Sequence, residues 1–293
     1  MPIDFSQVYL PAYTPVKLPS LGLLYPAMSP LAGGYVHIRE YCATEEALYS
    51  TMNPDNSQLI INQLLRNCIS DNFPIEEMTD GDVFYLLYWL RGNSYSTAYP
   101  LEITCPHFDC QHGPDMYTID LARDVKINYL SDTVKEPLVV YLPKTGVTVH
   151  LKCLRRKVEM LAKKRQADAA EWRNYKGDPT DLLKRAYSMT LMTTRDGQES
   201  DSILDFEKFC LYYCPASDSL VIDQAMSQFR HGVDISIELP CRRCEKTIYT
   251  VLPGGPEFFR PTRLNPTDEK AGVPGDTVSE QVRIVVGGVP STS

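Results

Sequence analysis

Two cysteine knuckles set far apart constrain this chain more than any other feature. The stretch "TCPHFDC" carries Cys105 and Cys110, and "LPCRRC" carries Cys241 and Cys244. Each pair lies between segments that alternate apolar and polar residues: "LEIT" and "YTIDL" around the first, "ISIEL" and "KTIYTVL" around the second. Period-two alternation reads as a half-buried strand. Two hairpins that each present a short-spaced cysteine pair at the tip are the sequence form of a tetrahedral four-thiolate zinc ribbon. Here the ribbon is divided. About 130 residues separate its halves, which closure entropy permits because it grows only logarithmically with loop length. Cys105, Cys110, Cys241 and Cys244 are therefore the expected ligands of one structural zinc ion.

Two other uses of these residues compete. A local site built from Cys105, Cys110, His107 and His112 needs four ligands close in sequence to converge, and it leaves Cys241 and Cys244 without a role. A redox pair at "CRRC" needs a helix start within a βαβ pattern, whereas this pair sits between strands of antiparallel character. The zinc ribbon leaves His107 and His112 at the knuckle surface or donating to ligand sulfurs.

A catalytic metal would keep an open coordination position and lean on histidine or carboxylate ligands. The histidines are His37, His107, His112, His150 and His231, and none forms an H-E-x-x-H pattern. No glycine-rich phosphate loop, G-x-S-x-G elbow or dinucleotide fingerprint occurs either. The sequence reads as a non-enzymatic protein with no catalytic residue to assign.

Charge narrows the partners. With a net charge of -8, the chain is a poor candidate for non-specific phosphate binding, which usually requires a basic protein. Local basic runs exist at Arg155–Lys157 and Lys163–Arg165, with Arg242 and Arg243 inside the second knuckle. Acidic neighbours make a solvated helix face the simpler reading of those runs; the alternative function they leave is a zinc-containing nucleic-acid-binding protein with these basic groups on phosphates. The longest apolar run, "VFYLLYWL", is far short of the roughly 18 to 20 residues a bilayer span requires. The beginning of the chain lacks a basic region followed by an apolar core, so a reducing compartment is expected. There, clustered thiols bind metal and isolated ones pack as small hydrophobes. Cys42, Cys68 and Cys153 are expected in the core, as are Cys210 and Cys214, one helical turn apart.

The chain divides by composition. Residues 1–35, rich in proline and glycine, read as an extended N-terminal arm. Residues 36–97 read as a helical block. Its second helix carries a stripe of Leu59, Ile60, Gln63, Leu64, Asn67 and Cys68, and its last, "VFYLLYWLRG", is capped by "TDGD" at its start and Gly92 at its end. Residues 98–153 and 232–260 form the two parts of the zinc-ribbon-like β module. Residues 154–231 read as a mostly helical insertion, opening with a helix whose thin apolar stripe is Val158, Leu161, Ala169 and Trp172. Residues 261–293 read as a flexible tail containing one apolar segment, "QVRIVV", suited to strand addition on a sheet edge. The fold class is α+β: a helical N-terminal block plus a split antiparallel β module.

Taken together, "LPSLGLLYP", "YVHIREYCATEEALY", "INQLLRNCI", "TDGDVFYLLYWLRGNSYSTAYPLEITCPHFDC" and "YTIDL" resemble the baseplate hub subunit and assembly family of T-even-like contractile-tailed phages. The resemblance spans Leu18 to Leu151. It implies a non-enzymatic virion component or assembly factor acting at the central hub of the tail baseplate, put together in the host cytoplasm. Its partners would be neighbouring tail proteins or further copies of the chain, with contact expected at Leu18, Pro19, Gly22, Tyr25 and Pro26 of the proline-rich opening.

Overall fold

The computed structural model describes residues 11–53, 56–168, 177–253 and 256–259. The "QVRIVV" segment, Ala169 and Trp172 lie outside the described residues.

The described part of the proline-rich opening, residues 11–35, is built into the body. Strand β1 (Thr14–Lys17) pairs antiparallel with β2 (Tyr35–Ile38), and the chain between them folds back on itself. Gly22 sits at φ +76°, where a side chain would lie 2.5 Å from the Ala32 carbonyl oxygen; only glycine closes this turn without strain. The turn aims Leu18, Pro19 and Tyr25 inward with Gly22 and leaves Pro26 exposed. Of the five residues expected to meet a partner, four therefore pack within their own chain.

Three helices follow: α1 (Ala43–Tyr49), α2 (Ser57–Cys68) and α3 (Asp80–Ser94). At the start of α1 the Glu45 carboxylate accepts the Cys42 N–H at 2.8 Å and both terminal nitrogens of Arg39 at 3.2 Å. Thr79 caps α3 by accepting the Asp82 N–H, as "TDGD" predicts. Helix α3 is buried almost all round, and fully enclosed leucines such as Leu86 and Leu90 each contribute about 1.5–3 kcal/mol relative to exposure.

Two details depart from the sequence expectation. Gly92 does not end α3; the helix runs on to Ser94, because Arg91 is anchored by bonds to the Phe258 and Ser96 carbonyls, both at 2.9 Å. That anchoring outweighs the cost of a helical glycine, about 1 kcal/mol. On α2 the inward face is rotated: Asn62, Leu64, Leu65 and Cys68 are buried while Leu59 is 61% exposed. Asn62 is drawn inside because its Oδ1 accepts the Arg156 Nε–H at 2.6 Å.

Strands β3 (Ala98–Ile103) and β4 (Asp115–Asp120) form the first predicted hairpin in full register. After β5 (Lys126–Asn128) come β6 (Leu138–Leu142) and β7 (Val147–Leu151), which join strands of the segment expected to be helical. That segment holds α4 (Lys157–Asp168), α5 (Thr180–Ser188), β8 (Met189–Thr193), β9 (Glu199–Ser200), α6 (Ile203–Lys208), a π-turn at Phe209–Tyr213 and α7 (Ala216–Met226). The strand order β6-β7-β8-β9 makes a four-stranded antiparallel sheet. Its covered face, with Leu142, Val149, Leu151, Phe206 and Ile222, is a second core distinct from that of the helical block. Cys210 is buried there with Cys214 packed alongside, and Cys68 and Cys153 are buried elsewhere; Cys42 is only half-buried.

Asp218 fastens this second core. Fully buried, it accepts N–H bonds from Lys144 at 3.0 Å and Thr145 at 2.9 Å, plus the Thr145 hydroxyl at 2.8 Å. Desolvation pushes its pKa up, but these donors outweigh it and hold the carboxyl below the ordinary aspartate value. A group depressed in the native state stabilises above its unfolded pKa, about 3.9, and loses that contribution as pH falls through the native value. Asp218→Asn should therefore cost about 1 kcal/mol at neutral pH. The gap from wild type should close below pH 4 in pH-stepped urea titrations; a constant gap would exclude the ionised form as the cause.

The chain then returns to the body. Strand β10 (Gly232–Asp234) pairs with β5, and β11 (Ser236–Pro240) pairs with β12 (Thr247–Val251) as the second predicted hairpin. Close backbone approach sets this return: a side chain at Gly81 would meet the His231 carbonyl at 2.5 Å, and one at Gly232 would meet the Gly81 carbonyl at 2.8 Å. The short helix α8 (Pro256–Phe259) lays Phe258 on Tyr88 and Phe259 on Tyr49, with ring centroids 5.6 and 5.7 Å apart.

Candidate metal centre

The hairpins β3–β4 and β11–β12 bring their tips together. Their four sulfurs, from Cys105, Cys110, Cys241 and Cys244, lie within 4.8 Å of one another, and this is the cluster the described residues form that could hold a metal ion. The short contacts cross between knuckles: Cys105 to Cys244 at 3.9 Å and Cys110 to Cys241 at 3.8 Å. These are far beyond a disulfide bond, and all four are free thiols.

The knuckles are built alike. In the first, Cys105 donates its N–H to the His112 carbonyl at 2.8 Å; in the second, Cys241 donates to the Lys246 carbonyl at 2.9 Å. The residue after each second cysteine is left-handed, Gln111 at φ 43° and Glu245 at φ 58°. This turn folds each cysteine pair back toward one point. N–H groups of Cys244 and Arg243 lie against the Cys241 sulfur and draw its pKa down to about 6, whereas burial pushes the Cys105 thiol up to about 12. Four sulfurs this close oppose one another's ionisation, and a cation among them removes the conflict. The donor set thus fits a soft divalent metal with all positions filled by protein.

Neither nearby histidine joins the cluster. His107 Nε2 contacts the Thr247 carbonyl at 3.1 Å, and His112 pairs with Asp115 at 3.3 Å. His107 instead ties one hairpin to the other. Arg242, which the sequence offered as a phosphate contact, does the same: its guanidinium lies 4.7 Å over the Tyr117 ring and donates to the Met116 carbonyl at 2.7 Å. Tyr117 was not legible as a partner, since nothing local marks a residue 125 positions away.

The basic runs are also engaged inside the chain. Arg155 pairs with Glu136 at 3.0 Å, Lys157 with Glu77 at 2.6 Å, Lys163 with Glu159 at 3.3 Å and Arg165 with Glu207 at 2.9 Å. Among the described residues, no helix is long and apolar enough to cross a membrane.

No curated protein and no solved structure matches the chain. A family model does, that of the T4 bacteriophage base plate protein, over residues 28–260. That span contains the helical block, the inserted sheet and both cysteine knuckles. A match running through most of the sequence, with all four cysteines inside it, means that the chain belongs to the T4 bacteriophage base plate protein family.

Proposed function

We propose that this protein is a structural or assembly component of the baseplate hub of a contractile phage tail, and that one zinc ion clips its two hairpins together. The family match over residues 28–260 carries the baseplate part of this reading. The hub assignment rests on the "LPSLGLLYP" to "CPHFDC" succession. For the metal, a tetrahedral zinc with Zn–S bonds of about 2.3 Å spaces its sulfurs about 3.8 Å apart, and the two crossing contacts are 3.8 and 3.9 Å.

Such a closed four-thiolate site leaves no position for substrate, so its role is to fix architecture. Cys105 and Cys110 hold one end of the insertion, Cys241 and Cys244 the other. The inserted sheet is thereby fastened to the helical block while its outer surfaces stay free for neighbouring tail proteins.

Two measurements test the reading. Immunodetection should find the chain in purified tails or in baseplate assembly intermediates, and absence from both would defeat the assignment. Elemental analysis of the purified chain should give one zinc per molecule with four sulfur neighbours by X-ray absorption. A site containing nitrogen or oxygen ligands would defeat the four-thiolate clip.

A further inference from the structure

A groove of about 640 Å³ runs between the proline-rich opening and helix α4, within the roughly 300–1,000 Å³ span of binding sites. Tyr25, Pro26, Met28, Pro74, Leu161 and Tyr187 line it. Several of these are turned to solvent: Met28 is 95% exposed and Leu161 40%, although Leu161 belongs to the apolar stripe of its helix. The floor is preorganised. Arg155 lies 5.5 Å over the Tyr25 ring, donates to the Leu24 carbonyl and pairs with Glu136.

Charge says what covers the groove. Arg155 and Lys157 are each neutralised by a carboxylate, Glu136 and Glu77. Lys152, which also lines the groove, has no ionic partner among the described residues. An apolar channel with one uncompensated ammonium, in a chain of net charge -8, complements an apolar segment that carries a carboxylate. Aromatic walls such as Tyr25 and Tyr187 are the surfaces on which extended segments dock.

We propose that this groove receives an extended apolar segment of a neighbouring tail protein, with an aspartate or glutamate of that segment paired to Lys152. The proposal rests on the baseplate reading and gives it a contact surface. It retains Tyr25 and Pro26 of the expected partner residues, Tyr25 as floor and Pro26 as wall.

Met28 provides the probe. Hydroxyl-radical oxidation of Met28 should be fast in the free full-length protein and severalfold slower in isolated baseplates or assembly intermediates that contain it. A photo-crosslinking residue at position 28 should then attach to a peptide of another tail protein bearing an acidic residue. Lys152→Glu should weaken incorporation about tenfold, the scale of one lost interfacial charge pair. Reversing the partner's acidic residue to lysine should restore it.

Equal oxidation of Met28 in free and assembled protein would overturn the proposal, as would crosslinks to residues 1–10 or 261–293 of this chain, to a second copy, or to nucleic acid. Absence of the chain from all particles is a different result, which strikes the baseplate reading itself.

Discussion

Cys241→Ser is expected to release the metal ion and to destabilise the protein as strongly as Cys105→Ser, although the two positions lie in different hairpins. The four sulfurs are within 4.8 Å of one another, so loss of any one opens the same coordination sphere. Structural zinc contributes apparent binding free energies of about 10–16 kcal/mol in zinc-finger peptides. Here part of the hairpin packing survives without metal, and a loss of several kcal/mol is expected. Metal content by mass spectrometry and guanidinium unfolding check both statements. Cys214→Ser, in the inserted core, should leave metal content unchanged. A Cys241 variant that keeps its metal would mean the knuckles do not share an ion. Chelation of the intact protein should raise hydrogen exchange in β3, β4, β11 and β12 before α3, because metal binding and local folding are coupled.

Asp82→Ala should be among the most costly single changes outside the four-cysteine cluster. Asp82 is fully buried in the first turn of α3, where it accepts the Ser20 N–H at 2.9 Å and the Tyr25 hydroxyl at 2.6 Å, with His231 Nε2 at 3.7 Å. Burial together with the adjacent carboxylate pushes the Tyr25 phenol far above its usual range, so it stays a donor at any working pH. Thr79 completes the cluster, with its hydroxyl 2.7 Å from His231 Nε2. Truncating Asp82 strands two buried donors, and the expected loss is about 3–5 kcal/mol, read as a shift in the denaturant midpoint. Asp82→Asn, which keeps one acceptor, should lose less. A loss under about 1 kcal/mol for the alanine variant would show that water replaces the carboxylate freely.

This cluster explains how the described part of the opening segment packs against the helical block. Among its described residues, 11–35, the chain forms strand, turns and one 3-10 turn at Pro30–Gly33, with no α-helix. Whether such a segment drapes over a neighbour or folds inward depends on an acceptor for the Ser20 N–H and the Tyr25 hydroxyl. That acceptor is Asp82, 62 positions from Ser20. No local pattern reveals it.

The inserted sheet shows the same limit. Strands β6 and β7 alternate clearly, which by itself marks each as a strand. Alternation states that a strand has two unlike faces, not which strand it pairs with. Leu151 finds its neighbour at Met189, across a helical stretch, and the sheet thereby joins segments assigned to different parts of the chain. On α2 the difference is rotational: the periodicity is helical, but Arg156, just after β7, recruits Asn62 and Leu59 turns outward.

The sequence by itself determined the α+β class, the positions of the helical block and the two hairpins, and the identity of the four metal-binding candidates. These rest on local chemistry: residue period, capping groups, and thiols of matching spacing. Tertiary structure alone decided the cross-knuckle pairing of the sulfurs, the ties that Arg242 and His107 make from one hairpin to the other, and the place of Leu18, Tyr25 and Leu31 in the core. Such outcomes depend on which distant donor meets which acceptor. Charge and hydrogen-bond satisfaction act through space, and the chain order does not encode that distance.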